Sequence, residues 1–172
     1  MMGIRGWRVE GNMPDVPRMV LIVAPHTSNW DFPVGLYVKL AMRMGARFIG
    51  KHTLFRFPLG VFMRWLGGVP VDRGAAAGFA AETARVVREA ERMTLVIAPE
   101  GTRKRADKWK SGFYRIAMEA GVPIVPVGFD YPRKVIWFAP PFEPTGDYEK
   151  DVAFLRAYYR PEMALRPENY GG

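Results

Sequence analysis

Short, continuous apolar runs alternate along this chain with segments of helical spacing. The runs at 19–24, 94–98 and 122–129 are apolar almost throughout, which predicts strands buried on both faces, as in a parallel sheet covered by helices. Shorter strand candidates lie at 47–50, 69–72 and 134–138, and the weak alternation over 7–10 suits an edge strand. Segment 32–44 is apolar except for Lys39 and Arg43, which are four apart and form one narrow solvent stripe; a mostly buried helix ended by Gly45 is expected. Segment 75–92 places Phe79, Thr83, Val86, Val87 and Ala90 on one face and Glu82, Arg85, Arg88, Glu89 and Arg92 mostly opposite, an amphipathic helix. Ser111 stands as the cap of a helix running to 120 and stopped by Gly121, and 147–159 is a further helix. The tail from about 161, with Pro161, Pro167 and Gly171-Gly172, is expected to be loose. Strands alternating with helices imply the α/β class: one domain over 1–172 with a mixed, largely parallel central sheet flanked by helices.

Segment 51–68 departs from this regularity. Pro58 should divide it into a turn and a short helix. Its large apolar side chains outnumber what one helix face would bury, and basic residues punctuate them. Two readings stand: ordinary core packing, or an interfacial surface that dips into a membrane or lines an acyl-chain groove.

Composition narrows the function classes. The chain has no cysteine, which rules out disulfides, thiolate metal sites and a cysteine nucleophile. Its two histidines, His26 and His52, leave little material for a metal centre, so no metal is expected. A formal charge of +8 and a pI near 10.0 draw the protein toward something anionic: nucleic acid, lipid headgroups or a phosphorylated substrate. No apolar run approaches the roughly 20 residues that span a bilayer, and the first residues lack the apolar core of a signal peptide. A chain that is soluble or peripheral to a membrane is expected.

The candidate chemistry begins directly after the run at 19–24. His26 and Asp31 lie five residues apart, which on a regular helix is about 500° of rotation, so they would not share a face. The pair makes sense across a strand-to-helix junction, with His26 leaving the strand and Asp31 at the N-cap position before Phe32 and Pro33. A carboxylate on one imidazole nitrogen fixes the tautomer and steadies the imidazolium, which makes the other nitrogen a general base for a hydroxyl. Taken alone, the pair equally fits a loop histidine and a helix cap. Ser28 lies between them without a G-x-S-x-G elbow and reads as a local hydrogen-bonding residue.

Arg73 and the turn Glu100-Gly101-Thr102-Arg103 also follow predicted strands. In an open α/β sheet ligands gather at the carboxyl ends of strands, so all three groups could converge on one edge. Arginine forks suit phosphate oxygens, and glycine lets backbone approach a ligand. Each arginine also fits a solvated surface charge, and Glu100 could pair with one of them.

Together these residues resemble the glycerolipid acyltransferase family that includes the 1-acyl-glycerol-3-phosphate acyltransferases. The likeness spans roughly 7–138 and rests on four motifs in order: His26 to Asp31 as H-x-x-x-x-D, Gly68-Val69-Pro70-Val71-Asp72-Arg73, Pro99-Glu100-Gly101-Thr102-Arg103, and Val122-Pro123-Ile124-Val125-Pro126-Val127. The resemblance implies a glycerol-3-phosphate acyltransferase-like fold and an O-acyltransferase in which His26, oriented by Asp31, deprotonates an acceptor hydroxyl. That hydroxyl attacks the thioester of acyl-CoA or acyl-carrier protein, a co-substrate rather than a cofactor. Arg73, Glu100, Gly101, Thr102 and Arg103 are implied to bind a lysophospholipid-type acceptor and its phosphate. The implied setting is cytoplasmic, peripheral at the inner face of an anionic membrane. Two departures stand out: Ala98 replaces the family's common phenylalanine, and the N-terminal membrane helices of many members are missing from this sequence. Other expectations in view are an amino-lipid or other alcohol as acceptor, and a non-catalytic module that binds anionic lipid. A nucleic-acid binder lacks support, with neither an RNA-binding aromatic signature nor a helix-turn-helix.

Overall fold

A computed structural model describes residues 6–71 and 76–171. A seven-stranded sheet runs through them in the order β1-β7-β6-β2-β5-β3-β4. In chain order the strands are β1 (Arg8–Glu10), β2 (Arg18–Ala24), β3 (Ala46–Lys51), β4 (Gly68–Val71), β5 (Met93–Ile97), β6 (Ile124–Asp130) and β7 (Val135–Phe138). All neighbours pair in parallel except β6 with β7, which are antiparallel. The helices are α1 (Asp31–Ala41), α2 (Leu59–Trp65), α3 (Ala76–Glu89), α4 (Gly112–Ala120) and α5 (Tyr148–Arg156), with a 3-10 turn at His52–Phe55. The expected α/β class, the largely parallel mixed sheet and the division of 51–68 at Pro58 are all present.

The continuous apolar character of β2 follows from burial on both faces. Val20, Ile22 and Ala24 face a core with Ala84, Phe113 and Leu155 from α3, α4 and α5. Met19 and Leu21 face the other way, with Val38 of α1 and Val125, Val127 and Phe129 of β6. Three helices therefore cover one face and α1 the other, which leaves the carboxyl ends of β2 and its neighbours at one edge.

Several boundaries differ from the pattern-based expectation. The first helix ends at Ala41 rather than 44, because Arg43 turns left-handed at φ 51° and the Met44 N–H returns to the Lys39 carbonyl. Asp31 is the first helical residue rather than the cap; Trp30 holds that position without a side-chain bond. Ser111 does occupy the N-cap of α4, but its side chain makes no capping bond, whereas Gly121 closes that helix in the left-handed conformation as expected. Asp147 caps α5 by accepting from the Lys150 N–H. The tail is not loose: Ala164 and Tyr170 are buried, the Tyr131 N–H donates to the Met163 carbonyl at 2.9 Å, and the Arg166 N–H donates to Thr27 Oγ1 at 3.3 Å. Prolines and glycines signalled irregular backbone there, but irregular backbone held by long-range bonds is still ordered.

Candidate active site

β2 and β5 are parallel neighbours with Ile22 opposite Ile97, so the segments leaving their carboxyl ends emerge side by side. One delivers His26, after a cis Ala24–Pro25 peptide, and the other delivers Glu100. The His26 backbone N–H donates to Glu100 Oε1 at 2.9 Å. The adjacent parallel strands thereby tie the two motifs together across 74 positions of sequence.

The His26–Asp31 pair forms as expected, with Nδ1 3.1 Å from Asp31 Oδ2. The imidazole is partly exposed and the carboxylate almost wholly buried, with side-chain exposures of 23% and 1%. The carboxylate is further held by the Ser28 N–H at 2.9 Å on Oδ2 and by the Tyr131 hydroxyl, which donates to Oδ1 at 2.6 Å. A buried carboxylate requires such partners. Ser28 Oγ accepts from the Trp30 N–H, the local role expected of it. Thr27, also buried, accepts from the tail through Arg166 N–H and Asn169 Nδ2, so the loop that carries His26 is fixed from three sides: by Asp31, Glu100 and the tail.

Glu100, expected in the acceptor-binding set, is turned toward the loop that carries His26. It is 2% exposed, with one oxygen committed to the His26 N–H. Burial raises its pKa, the bond from His26 opposes that shift, and the nearby Asp31 charge adds to it. Gly101 follows at φ +65°, a left-handed backbone that favours glycine, and a Cβ there would also have to displace the end of the Lys110 side chain, 2.8 Å away. Thr102 Oγ1 accepts from the Lys104 N–H, and Arg103 is exposed on the same turn. Arg73 lies outside the described residues. Among the described residues no group of three His, Asp or Glu is placed to hold a metal ion.

His26 and Asp31 form part of the wall of a cavity of about 190 Å³ between the sheet and α1. The rest of the wall is almost wholly apolar, with Leu21, Val23, Val127 and Phe129 from the strands, Ala98 just after β5 and Leu36 from α1 among the lining residues. A titratable pair set into the side of an apolar cavity suits a reaction between a polar head and a hydrocarbon chain.

Tyr131 was not among the residues singled out from the sequence. It leaves β6, which runs parallel to β2 with Gly128 opposite Ala24, so it emerges on the His26 edge. A tyrosine next to Pro132 at the end of an apolar run was the available signal. Its pKa is pushed above the ordinary tyrosine value by burial and by its bond to Asp31, which keeps the hydroxyl a donor.

The family model described as Acyltransferase matches residues 8–130. The 1-acyl-sn-glycerol-3-phosphate acyltransferase of Haemophilus influenzae is 27% identical over 132 residues, covering 71% of this chain and 53% of that protein. Its counterpart in Salmonella typhimurium is 30% identical over 113 residues, covering 62% and 45%. The chain thus spans about half the length of the curated relatives it matches. The crystal structure of the 1-acyl-sn-glycerophosphate (LPA) acyltransferase PlsC from Thermotoga maritima aligns with a TM-score of 0.63 at 24% identity, covering 90% of this chain and 69% of that one. That likeness is one of fold.

Proposed function

Because the chain belongs to the acyltransferase family, we propose that it moves a fatty acyl group from the thioester of acyl-CoA or acyl-carrier protein to the hydroxyl of a lysophospholipid-type acceptor. The observation that carries this reading is the Asp31-held imidazole of His26 in the wall of an apolar cavity. Asp31 engages Nδ1, so Nε2 is the nitrogen left for the acceptor. His26 takes the hydroxyl proton at Nε2 while the acceptor oxygen attacks the thioester carbonyl. The carbon–sulfur bond then breaks, and the departing thiolate recovers the proton from the imidazolium. The products are an ester and a free thiol. No acyl-serine forms.

The cavity between α1 and the sheet would receive acyl chain, and Arg103 with Arg73, Gly101 and Thr102 would receive the acceptor's phosphate. Asp31, Tyr131 and Glu100 are positioning residues in this reading, acting through His26. Acyl thioesters of these kinds are cytoplasmic, and acceptors of this class are lipids, so the reaction would take place at the inner face of a membrane. No described helix is long and apolar enough to cross one.

The test is a purified-protein screen that pairs several acyl-CoA and acyl-carrier-protein donors with lysophospholipid, amino-lipid and alcohol acceptors, read by mass spectrometry. Transfer to a lysophospholipid is expected, with His26→Ala lowering it by about 10²–10⁴-fold. Transfer only to an amino-lipid or a simple alcohol would reassign the acceptor. No transfer to any acceptor would leave a lipid-binding module, and near-parental turnover in His26→Ala would remove the mechanism.

A further inference from the structure

The 3-10 turn and α2 that follow β3 carry apolar side chains on two opposed faces. Phe55, Met63 and Leu66 are buried and anchor the segment to the domain. Lys39 Nζ of α1 donates to the Leu66 carbonyl at 2.9 Å, and Phe32 packs edge-on against Phe48 at 5.3 Å between ring centroids. Lys39, Phe32 and Phe48 also line the cavity beside His26. The bond from Lys39 ties the segment to the cavity wall.

Among the described residues, its other face has no such partner. Leu54, Phe57, Leu59, Val61, Phe62 and Trp65 are all exposed, with Phe57 at 90% and Trp65 at 76%. These six are half of the large exposed hydrophobics among the described residues, gathered within twelve positions. A cluster of this kind marks an interaction surface, whereas single exposed apolar residues do not.

Charge identifies the occupant. Between Asp31 and Asp72 there is no Asp or Glu, and there are six cations: Lys39, Arg43, Arg47, Lys51, Arg56 and Arg64. That stretch supplies +6 of the chain's formal +8. Arg56 and Arg64 are exposed among the apolar residues themselves. A second copy of the chain on this face would set Arg56 and Arg64 against cations of its own kind with no carboxylate in the stretch to pair them, and a nucleic acid would leave the aromatic and aliphatic side chains against phosphates. An anionic bilayer satisfies both features, with phosphates for the arginines and acyl boundary for Phe57, Val61, Phe62 and Trp65.

We propose that residues 54–65 form a membrane-docking face that seats the apolar cavity and His26 against an anionic lipid surface. This deepens the proposed function, because it names how a lipid acceptor and an acyl chain would reach the site, and it rests on that reading for its purpose. The binding step itself does not depend on catalysis.

The experiment is vesicle flotation of the full chain, without substrates. The vesicles are phosphatidylcholine alone, or two parts phosphatidylcholine to one part phosphatidylglycerol, each at low and high salt. The parent should float with the anionic vesicles, more weakly at high salt, and far less with the neutral ones. The double variant Phe57→Ser/Trp65→Ser should partition at least ~10-fold less, since two of the most exposed apolar side chains are lost, while it keeps the parental melting temperature and parental transfer with detergent-dispersed substrates. Arg56→Ala should lose part of the binding to anionic vesicles and none of the residual binding to neutral ones. Met118→Ser, an exposed apolar position elsewhere, should float as the parent does. His26→Ala should also float as the parent does, so a failure of the catalytic reading leaves this result intact, and the converse holds.

Equal flotation of parent and double variant would overturn the proposal, as would equal binding to neutral and anionic vesicles. A parent that ignores vesicles but dimerises in sedimentation velocity, with a monomeric double variant, would make the face a contact between copies and refute lipid docking. So would oligonucleotide binding in the absence of vesicle binding.

Discussion

Glu100→Gln separates a carboxylate that binds substrate from one that holds the His26 loop. The substitution keeps the side chain's length and an oxygen able to accept from the His26 N–H, now 2.9 Å from Oε1. It exchanges a bond to a charged acceptor, about 1.5–3 kcal/mol, for a neutral one of about 0.5–1.5 kcal/mol. Against this loss of about 1 kcal/mol stands a gain, because the pKa of Glu100 is raised by burial and its ionisation near neutral pH therefore works against the fold. Net stability should stay within about 1 kcal/mol, a melting shift of no more than ~4 °C for a chain of this size. Glu100→Ala, which leaves the His26 N–H unpaired in a part-buried place, should cost about 1–3 kcal/mol.

The pH dependence has a definite sign. The folded pKa of Glu100 lies above its ordinary 4.5, so between those two values the folded state holds more protons than the unfolded state. Parental stability therefore falls as pH rises through that window, and the Gln variant lacks this component of the slope. Thermal unfolding by circular dichroism across the acid range measures both, and steady-state kinetics supply the functional half. Gln should restore most of the kcat lost in Ala with the acceptor KM unchanged. A Gln variant as damaged as Ala, with its acceptor KM raised, would show that the charge itself serves the acceptor and would refute the positioning role. An unchanged pH slope in Gln would refute the electrostatic part.

Three other outcomes follow from named contacts. Tyr131→Phe removes the 2.6 Å bond to Asp31; if half of its about 1.5–3 kcal/mol reaches the transition state, kcat falls roughly 3- to 12-fold with the acceptor KM held, and an unchanged kcat would exclude Tyr131 from the pair. Ala98→Leu should turn donor preference toward shorter acyl chains, because Ala98 lines the cavity; a chain-length panel with unaltered preference would move the acyl chain elsewhere. Burial alone would raise the pKa of Asp151, yet the Thr145 N–H and the hydroxyls of Tyr114 and Thr145 hold it below the ordinary value. Its stabilisation is therefore present above the unfolded pKa and lost as pH falls through the folded one. Asp151→Asn should destabilise by roughly 2–4 kcal/mol near neutral pH and flatten the acid limb of the stability curve, as a pH series of denaturant melts would record.

The strands were legible in the sequence because burial on both faces leaves an apolar run that no surface element imitates. The His26–Asp31 pair was legible because its members lie close in sequence and the strand-to-helix junction between them could be read from Pro33. Asp31 was misplaced by one position for a physical reason. A carboxylate just before a helix satisfies the same local rule whether it caps the backbone or turns away, and here it turns to His26, the Ser28 N–H and Tyr131. Segment 51–68 was ambiguous for the same reason: composition cannot say which apolar side chains face inward, and the structure divides them between the two faces.

What no local pattern carries is the closure of the site. Tyr131 reaches Asp31 across 100 positions, Arg166 reaches Thr27 across 139, and Glu100 meets a backbone N–H that leaves no trace in side-chain chemistry. The first and last of these contacts exist because β2 lies between β5 and β6 in parallel and all three release their following segments on one edge, whereas the Arg166 contact needs the tail beyond α5 to return to that edge. Motif matching assigned Glu100 to the acceptor as though every polar residue of a motif must face the ligand. In the division of labour proposed above, the buried glutamate holds the histidine's loop and the exposed Arg103 beyond it is left to meet the headgroup. The two residues sit in one short turn with the left-handed Gly101 between them, one buried and the other exposed.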